Sequence, residues 1–169
     1  MLDYFTENIV KRKKSGKDIA LSALIVIGAI IVFLALCYIG LITGLMQILF
    51  LLAAGALWGA YILIGRFSIE YEYIVTNGEM DIDKIMQRRK RKRIITVPAK
   101  NIRSIEPLRV DNTTYKEVID ASKNDKNAAD TYMLITEDNV KIIFNPSEKM
   151  LKIFAKFRPQ SVKVSGINE

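Results

Sequence analysis

Hydrophobic and polar positions divide the chain into one long apolar stretch and a region of short alternating runs. No charged residue occurs between Ile19 and Gly65. A helix needs about 20 apolar residues to cross the hydrocarbon of a bilayer, so this stretch is too long for one span and suits two spans with a turn. Paired glycines mark chain reversals, which places the turn at residues 40–44. We therefore predict two transmembrane helices, Ile19–Ile39 and Leu45–Gly65.

A secretory signal sequence is the alternative for the first span, because basic residues precede its apolar run. The sequence Leu34-Ala35-Leu36-Cys37 is similar to a lipoprotein cleavage box, in which a lipid is attached to the cysteine. The residue before that cysteine should be small, however, and here it is Leu36. A second apolar run also follows at once. We therefore predict a retained membrane helix that contains Cys37.

The flanking charges predict the orientation of this hairpin. Positively charged loops stay in the cytoplasm. Arg66 follows the second span, whereas the turn between the spans carries no charge. We expect a multi-pass protein of the cell membrane with both termini in the cytoplasm. The basic residues that precede the first span are Lys11, Arg12, Lys13, Lys14 and Lys17.

Gly55 and Gly59 have the four-residue spacing that lets two membrane helices approach closely. Either the second helix packs on the first within one chain, which we favour, or two copies form a homodimer. Neither span contains Asp, Glu, Lys or Arg. Ion-coupled transporters place such groups inside their helices, so transport by this chain alone is not expected.

After Arg66 the hydrophobic period changes to two, which is typical of half-buried strands. Asn77-Gly78 is a strong signal for a hairpin turn between the first two strands. Short apolar runs separated by turn residues predict seven strands in all. They are expected at Phe67–Val75, Glu79–Asp83, Ile95–Val97, Ile102–Val110, Tyr115–Ile119, Thr131–Thr136 and Val140–Phe144.

An amphipathic helix is predicted after the last strand. Asn145 is its expected cap, Pro146 suits its first position, and Glu148 completes a capping box. The helix ends at Arg158-Pro159. Its apolar face, at helical spacing, consists of Met150, Ile153, Phe154 and Phe157.

The order of these elements resembles the bacterial pleckstrin-homology-like (PH-like) membrane proteins. The resemblance rests on Phe67 to Gly78, on residues 94–102, and on Val140 to Phe157. It implies that the membrane hairpin leads directly into a mainly β, PH-like barrel or sandwich closed by the C-terminal helix. The expected organisation is a basic segment at 1–18, the hairpin at 19–65, the β domain at 66–158 and a tail at 159–169.

Composition argues against an enzyme. The chain has no His and one Cys, so it forms no disulfide within itself and no zinc site with nitrogen and sulfur ligands. No nucleophile elbow, phosphate-binding glycine loop or metalloprotease motif is present. Glu79, Asp81 and Asp83 share one face of a strand and could hold a cation, but we favour a solvated face that attracts neighbouring cations. We expect no catalytic residues, no metal and no cofactor.

Six consecutive cations stand out in the β region. If the first strand runs straight out from the membrane for about ten residues, its turn lies some 30 Å away. The second strand then returns, which brings the cations to the bilayer surface. A solvated hairpin tip and the binding of an acidic protein or nucleic acid are the alternatives. Nucleic acid is not favoured, because no recognition helix or aromatic platform is evident. The residues expected at the lipid surface are Arg88, Arg89, Lys90, Arg91, Lys92 and Arg93, with Lys11, Arg12, Lys13 and Lys14.

These features predict a membrane-anchored, noncatalytic interaction or scaffold module whose PH-like domain contacts anionic lipid headgroups. An accessory subunit of a larger membrane complex is the first alternative. A membrane-tethered, nucleic-acid-binding regulator is the second. The expected partners are lipids and another membrane or cytoplasmic protein, and a second copy of the chain through the second helix is the less favoured alternative to packing within one chain.

Overall fold

The computed structural model describes residues 4–87, 89–125 and 129–162. Two compact units are present. One is continuous and covers residues 14–68, and the other combines the segment before it with the segment after it.

Two helices form the continuous unit, α1 (Gly16–Thr43) and α2 (Met46–Gly65). The backbone N–H of Ser15 donates to the Asp18 carboxylate over 3.0 Å, which stabilises the start of α1. Gly44 ends α1 with a φ of 73°, a left-handed conformation that glycine adopts without strain. Both helices are long and apolar enough to cross a membrane. The turn between them is shorter than predicted, because α1 continues to Thr43.

The contact between the helices includes a close approach at the buried Gly40. A Cβ added there would lie 3.1 Å from the Cα of Met46. A Cβ added at Gly55 or Gly59 would meet nothing within 4 Å. These two glycines therefore do not make the close contact between the helices that we favoured for them. Gly40 makes that contact instead. A homodimer through Gly55 and Gly59 stays a prediction.

The second unit contains two sheets and one helix. The strands are β1 (Phe5–Lys11), β2 (Ile69–Thr76), β3 (Glu79–Met86), β4 (Lys90–Pro98), β5 (Ile102–Pro107), β6 (Glu117–Asp120), β7 (Tyr132–Thr136) and β8 (Val140–Phe144), and the helix is α3 (Glu148–Phe157). The first sheet has the antiparallel order β1-β2-β3-β4, and the second has the order β5-β7-β8-β6, in which β6 is parallel to β8.

The described residues thus form eight strands, not seven, and the additional one is β1. It lies in the basic N-terminal segment, for which the sequence predicts no secondary structure. Its pattern is misleading, because the polar Thr6 is buried while the apolar Phe5 and Ile9 are exposed. All seven residues of β1 pair with β2. The backbone N–H of Arg12 also donates to the carbonyl of Ile69 over 3.0 Å. The helices are therefore an insertion between two adjacent strands.

The core of this unit lies between the inner faces of the sheets and α3. The ring of Tyr73 meets that of Phe144 edge-on, with 5.8 Å between ring centroids. Burial of each large apolar side chain contributes roughly 1.5–3 kcal/mol. The Tyr73 hydroxyl donates to the carbonyl of Ala121 over 2.5 Å, and burial raises the pKa of Tyr73. The largest fully buried apolar side chains include Tyr73, Met80, Ile82, Leu134, Ile142, Phe144, Met150 and Phe154.

The start of α3 differs from the prediction. Ser147 is the cap, and its hydroxyl accepts the backbone N–H of Met150 over 3.3 Å. Asn145 instead joins loops: its side-chain oxygen accepts the Lys123 backbone N–H over 2.8 Å, and its amide donates to the Thr131 hydroxyl over 3.0 Å. Three residues of the predicted apolar face, Met150, Ile153 and Phe154, are buried, whereas the fourth, Phe157, is 38% exposed.

Candidate functional site

The β2–β3 hairpin positions the basic cluster, which is our name for the run of six cations at residues 88–93. Asn77 and Gly78 both have positive φ, 47° and 88°, which fits the tight two-residue turn that their sequence predicts. Strand β3 therefore returns along β2, and Met86 lies opposite Ile69. Lys90, the first residue of β4, lies opposite Met86 in turn. We call this end of the first sheet, from which the chain passes to α1 and α2, the proximal end.

The basic cluster lies at the proximal end, but mostly in a strand and not in a loop. Lys90 to Arg93 belong to β4, and Arg89 directly precedes it. All five of these side chains are exposed. Arg88 lies outside the described residues.

A β-bulge divides the cluster between the two faces of the sheet. The register between β3 and β4 shifts at Ile82/Asp83. Because of this shift, the order in which the side chains of β4 alternate between the two faces of the sheet changes at the bulge. Arg91 and Arg93 lie on the outer face. Lys90 and Lys92 lie on the face that carries the core residues farther along β4. The cross-strand pairs are Arg93 with Asp83, Lys92 with Lys84, Arg91 with Ile85 and Lys90 with Met86.

The two arginines on the outer face are neutralised by acids of neighbouring strands. Arg93 lies 2.8 Å from an Asp81 oxygen and 2.5 Å from an Asp83 oxygen. The Thr96 hydroxyl also donates to Asp81 over 2.6 Å. These ion pairs agree with the expectation that the acidic residues of β3 attract cations, but the face is not fully solvated, because Asp83 is buried. Arg91 lies 3.1 Å from a carboxylate oxygen of Glu72 on β2.

Glu72 is an unexpected member of this site. Its alternation predicts a solvated side chain, yet only 1% of that side chain is exposed. Burial raises the pKa of the Glu72 carboxyl, and the neighbouring Glu7 carboxyl raises it further, whereas Arg91 opposes both effects. The guanidinium of Arg91 therefore favours the ionised form of this buried carboxyl. No local sequence pattern indicates this burial, because it depends on strand β1.

The lysines on the other face have no such partners. Lys84 and Lys92 lie directly opposite each other, and like charges in that arrangement repel. Among the described residues, no carboxylate forms an ion pair with Lys84, Lys90 or Lys92. Lys84 is missing from the predicted site. Its signal is its place in the series Met80, Ile82, Lys84, where the strand pattern calls for an apolar residue.

The N-terminal cations are placed by β1 and the start of α1. Lys11 lies opposite Glu70 at the proximal end. The Lys13 ammonium forms an ion pair with Asp125, and its backbone N–H donates to the carbonyl of Lys123 over 2.7 Å. Lys14 is exposed, and Arg12 is partly buried. Of these residues, Lys11 lies at the same end of the first sheet as the unpaired lysines.

This arrangement can bind anions through charge. At the proximal end, Lys84, Lys90 and Lys92 present three ammonium groups that no described carboxylate neutralises. The part of the chain that the structure describes contains no group of three His, Cys, Asp or Glu residues able to hold a metal ion. The chemistry that this surface offers is therefore electrostatic attraction.

Comparisons with known proteins place the chain in a family. The family described as "Bacterial PH-like domain (DUF6106)" matches residues 2–164. No curated protein and no solved structure matches the chain. The family match spans the helical insertion as well as both sheets and α3, and it agrees with the resemblance noted in the sequence. The protein therefore belongs to the family of bacterial PH-like domains.

Proposed function

We propose that the protein is a membrane-anchored, noncatalytic interaction module whose β domain contacts anionic lipid headgroups. In this proposal α1 and α2 span the cell membrane, with both termini in the cytoplasm. Their length and apolar composition support the anchor, and the basic residues on their flanks support the orientation. Membership of a PH-like family supports an interaction role rather than catalysis.

The observation that carries the lipid contact is the group of unneutralised lysines at the proximal end, Lys84, Lys90 and Lys92. Each cation near an anionic membrane surface gains about 1 kcal/mol. The arginines beside them contribute less, because carboxylates already balance Arg91 and Arg93.

Chain connectivity supports the same proposal. Residues 66–68 alone join α2 to β2, and residues 12–15 join β1 to α1. Three extended residues reach about 11 Å at most. Electrostatic attraction at physiological ionic strength falls off over about 8 Å. The start of β2 is therefore held within about 11 Å of the end of α2, a distance comparable to the range over which headgroup charge acts.

The test uses the full chain in lipid nanodiscs, with hydrogen exchange as the measurement. One sample contains only zwitterionic lipid, and the other contains a large fraction of anionic lipid. We expect amides of residues 84–92 to exchange more slowly in the anionic discs. The difference should disappear when Lys84, Lys90 and Lys92 are replaced by Gln.

Two outcomes would contradict the proposal. Exchange over residues 84–92 could be the same in both lipids, which would leave no contact for the lysines to make. Alternatively, the protection in anionic discs could persist in the triple Gln variant, which would assign it to other residues. Exchange in α3 serves as the internal control, because we expect it to be unaffected by lipid charge.

A further inference from the structure

The edge strand β1 has one side that faces away from the first sheet. On the other side, the N–H of Asn77 donates to the carbonyl of Tyr4 over 3.1 Å, and the N–H of Arg12 donates to Ile69 over 3.0 Å. Backbone groups alternate sides along a strand, so every second residue from Tyr4 to Arg12 faces β2. The residues between them, which direct their N–H and C=O groups away from β2, are Phe5, Glu7, Ile9 and Lys11.

Within the described part of the chain, these outward groups have no backbone partner. An edge of this kind is a template for pairing with another chain. Natural edge strands are usually protected by charges, prolines or a covering element. Here the charged side chains of Glu7 and Lys11 are interleaved with two exposed apolar ones, Phe5 at 53% and Ile9 at 49%.

On the face of the first sheet that is directed toward α3, the surroundings of this edge are basic. A cavity of about 270 Å³ lies between β1 and α3. Three lysines of α3 line it, at spacings that place them on one helix face. The Lys156 ammonium lies 5.1 Å from the centre of the Tyr4 ring. Among the described residues, no carboxylate forms an ion pair with these lysines. The lining residues are Tyr4, Phe5, Lys149, Lys152, Ile153 and Lys156.

We propose that the β1 edge and the lysine face of α3 form a docking groove for an extended, acidic segment of a partner protein. The segment adds to the first sheet as a further strand, in the manner of β-augmentation. Side chains of an added strand alternate between two sides. One set lies beside Phe5 and Ile9 and is apolar, and the other set lies beside the α3 lysines and is acidic.

Charge distinguishes this occupant from the others. A second copy of the chain, pairing β1 with β1, would bring two rows of α3 lysines together, and their repulsion disfavours that dimer. A nucleic acid or lipid headgroup would meet the lysines but could not continue the backbone ladder of β1. An acidic peptide strand satisfies both the lysines and the ladder. The groove is separate from Lys84, Lys90 and Lys92, so this proposal does not depend on lipid contact.

The test measures binding of defined fluorescent peptides to the full chain in zwitterionic nanodiscs. The probe has about seven residues, the length of β1, and alternates Leu with Asp. One comparison peptide alternates Leu with Lys, and another has the Leu and Asp residues in separate blocks. We expect the alternating acidic peptide to bind at least about tenfold more tightly than either comparison, because it alone matches both the charge and the strand spacing.

Two variants test the two halves of the groove. Ile9→Pro removes an N–H that faces the free edge, a position where sheets tolerate proline, and should weaken binding of the acidic peptide at least about tenfold. The double variant Lys149→Glu with Lys152→Glu should reverse the preference, so that the Leu–Lys peptide binds instead. The matched control, Lys100→Glu with Lys116→Glu, has the same net charge and should keep the original preference.

Several results would overturn the proposal. The alternating acidic peptide could fail to bind, or the blocked peptide could bind equally well, which would leave only nonspecific charge attraction. The double α3 variant could keep the original preference, and its exposed positions make loss of folding an inadequate explanation. If Ile9→Pro remains folded and binds the peptide normally, the edge of β1 is not the docking strand.

Discussion

Replacing residues 14–68 with a short glycine–serine linker is expected to yield a soluble β domain that folds. The chain leaves this domain after Lys13 and returns at Ile69, and the backbones of Arg12 and Ile69 are hydrogen-bonded at 3.0 Å. The two ends of the insertion are therefore adjacent, and a few flexible residues can join them without strain. The measurement is cooperative thermal unfolding, followed by circular dichroism.

The matched comparison begins at residue 69 and therefore lacks β1. It should not unfold cooperatively. Its first sheet loses a whole strand, so β2 becomes an edge and the buried Val10 and Thr6 are removed. Loss of one buried valine alone costs roughly 1.5–3 kcal/mol. The lost backbone hydrogen bonds between β1 and β2 cost about 1 kcal/mol each. Together these losses are comparable to most of a typical free energy of unfolding of 5–15 kcal/mol. Equal stability of both proteins would show that β1 is dispensable.

Neutralising the three unpaired lysines is expected to produce the largest change in lipid affinity. The protein is the soluble β domain with the linker, and the partner is a vesicle that contains anionic lipid. Replacement of Lys84, Lys90 and Lys92 by Gln should weaken binding about 100-fold, because each cation near the surface contributes about 1 kcal/mol. Co-sedimentation over a range of lipid concentrations measures the affinity.

A second triple variant controls for net charge. Lys100, Lys116 and Lys152 are exposed and lie outside the cluster, so their replacement by Gln should change vesicle affinity by less than about threefold. Relief of the Lys84–Lys92 repulsion should also leave the first variant at least as stable as the parent. Equal losses of affinity in both variants would mean that overall charge, and not the position of these lysines, determines binding.

Much of the fold could be predicted from the sequence, because strong local signals agree with it. The uncharged stretch predicts two helices, Asn77-Gly78 predicts the β2–β3 hairpin, and the apolar spacing of α3 predicts its buried face. Strand β1 could not be predicted, since Phe5 and Ile9 are on its exposed side. The position of Ser147 as the cap of α3 also escaped prediction. Asn145 has the right residue type, but its side chain is held by Lys123 and Thr131.

The place of the basic cluster along the first sheet was predictable, but the arrangement of its side chains was not. Hairpin geometry placed the cations at the end of the sheet from which the chain enters the helices. Their division between two faces depends on the bulge opposite Asp83, and an alternation pattern contains no information about such a shift. The ion pairs of Arg91 and Arg93 follow from that division. Lys84 could have been found, because it interrupts an otherwise apolar series.

The most direct test of the account measures how far each end of the first sheet lies from the headgroups. In a full chain with Cys37→Ala, one fluorophore is attached at Arg89→Cys, at the proximal end, and a second protein has it at Glu79→Cys, at the opposite end of β3. Strand β3 has 8 residues, and at about 3.3 Å per residue its ends differ by some 25 Å. Energy transfer to labelled headgroups in anionic nanodiscs should be strong from position 89 and weak from position 79. Equal transfer from both positions, or stronger transfer from position 79, would contradict a domain that meets the membrane through its proximal lysines.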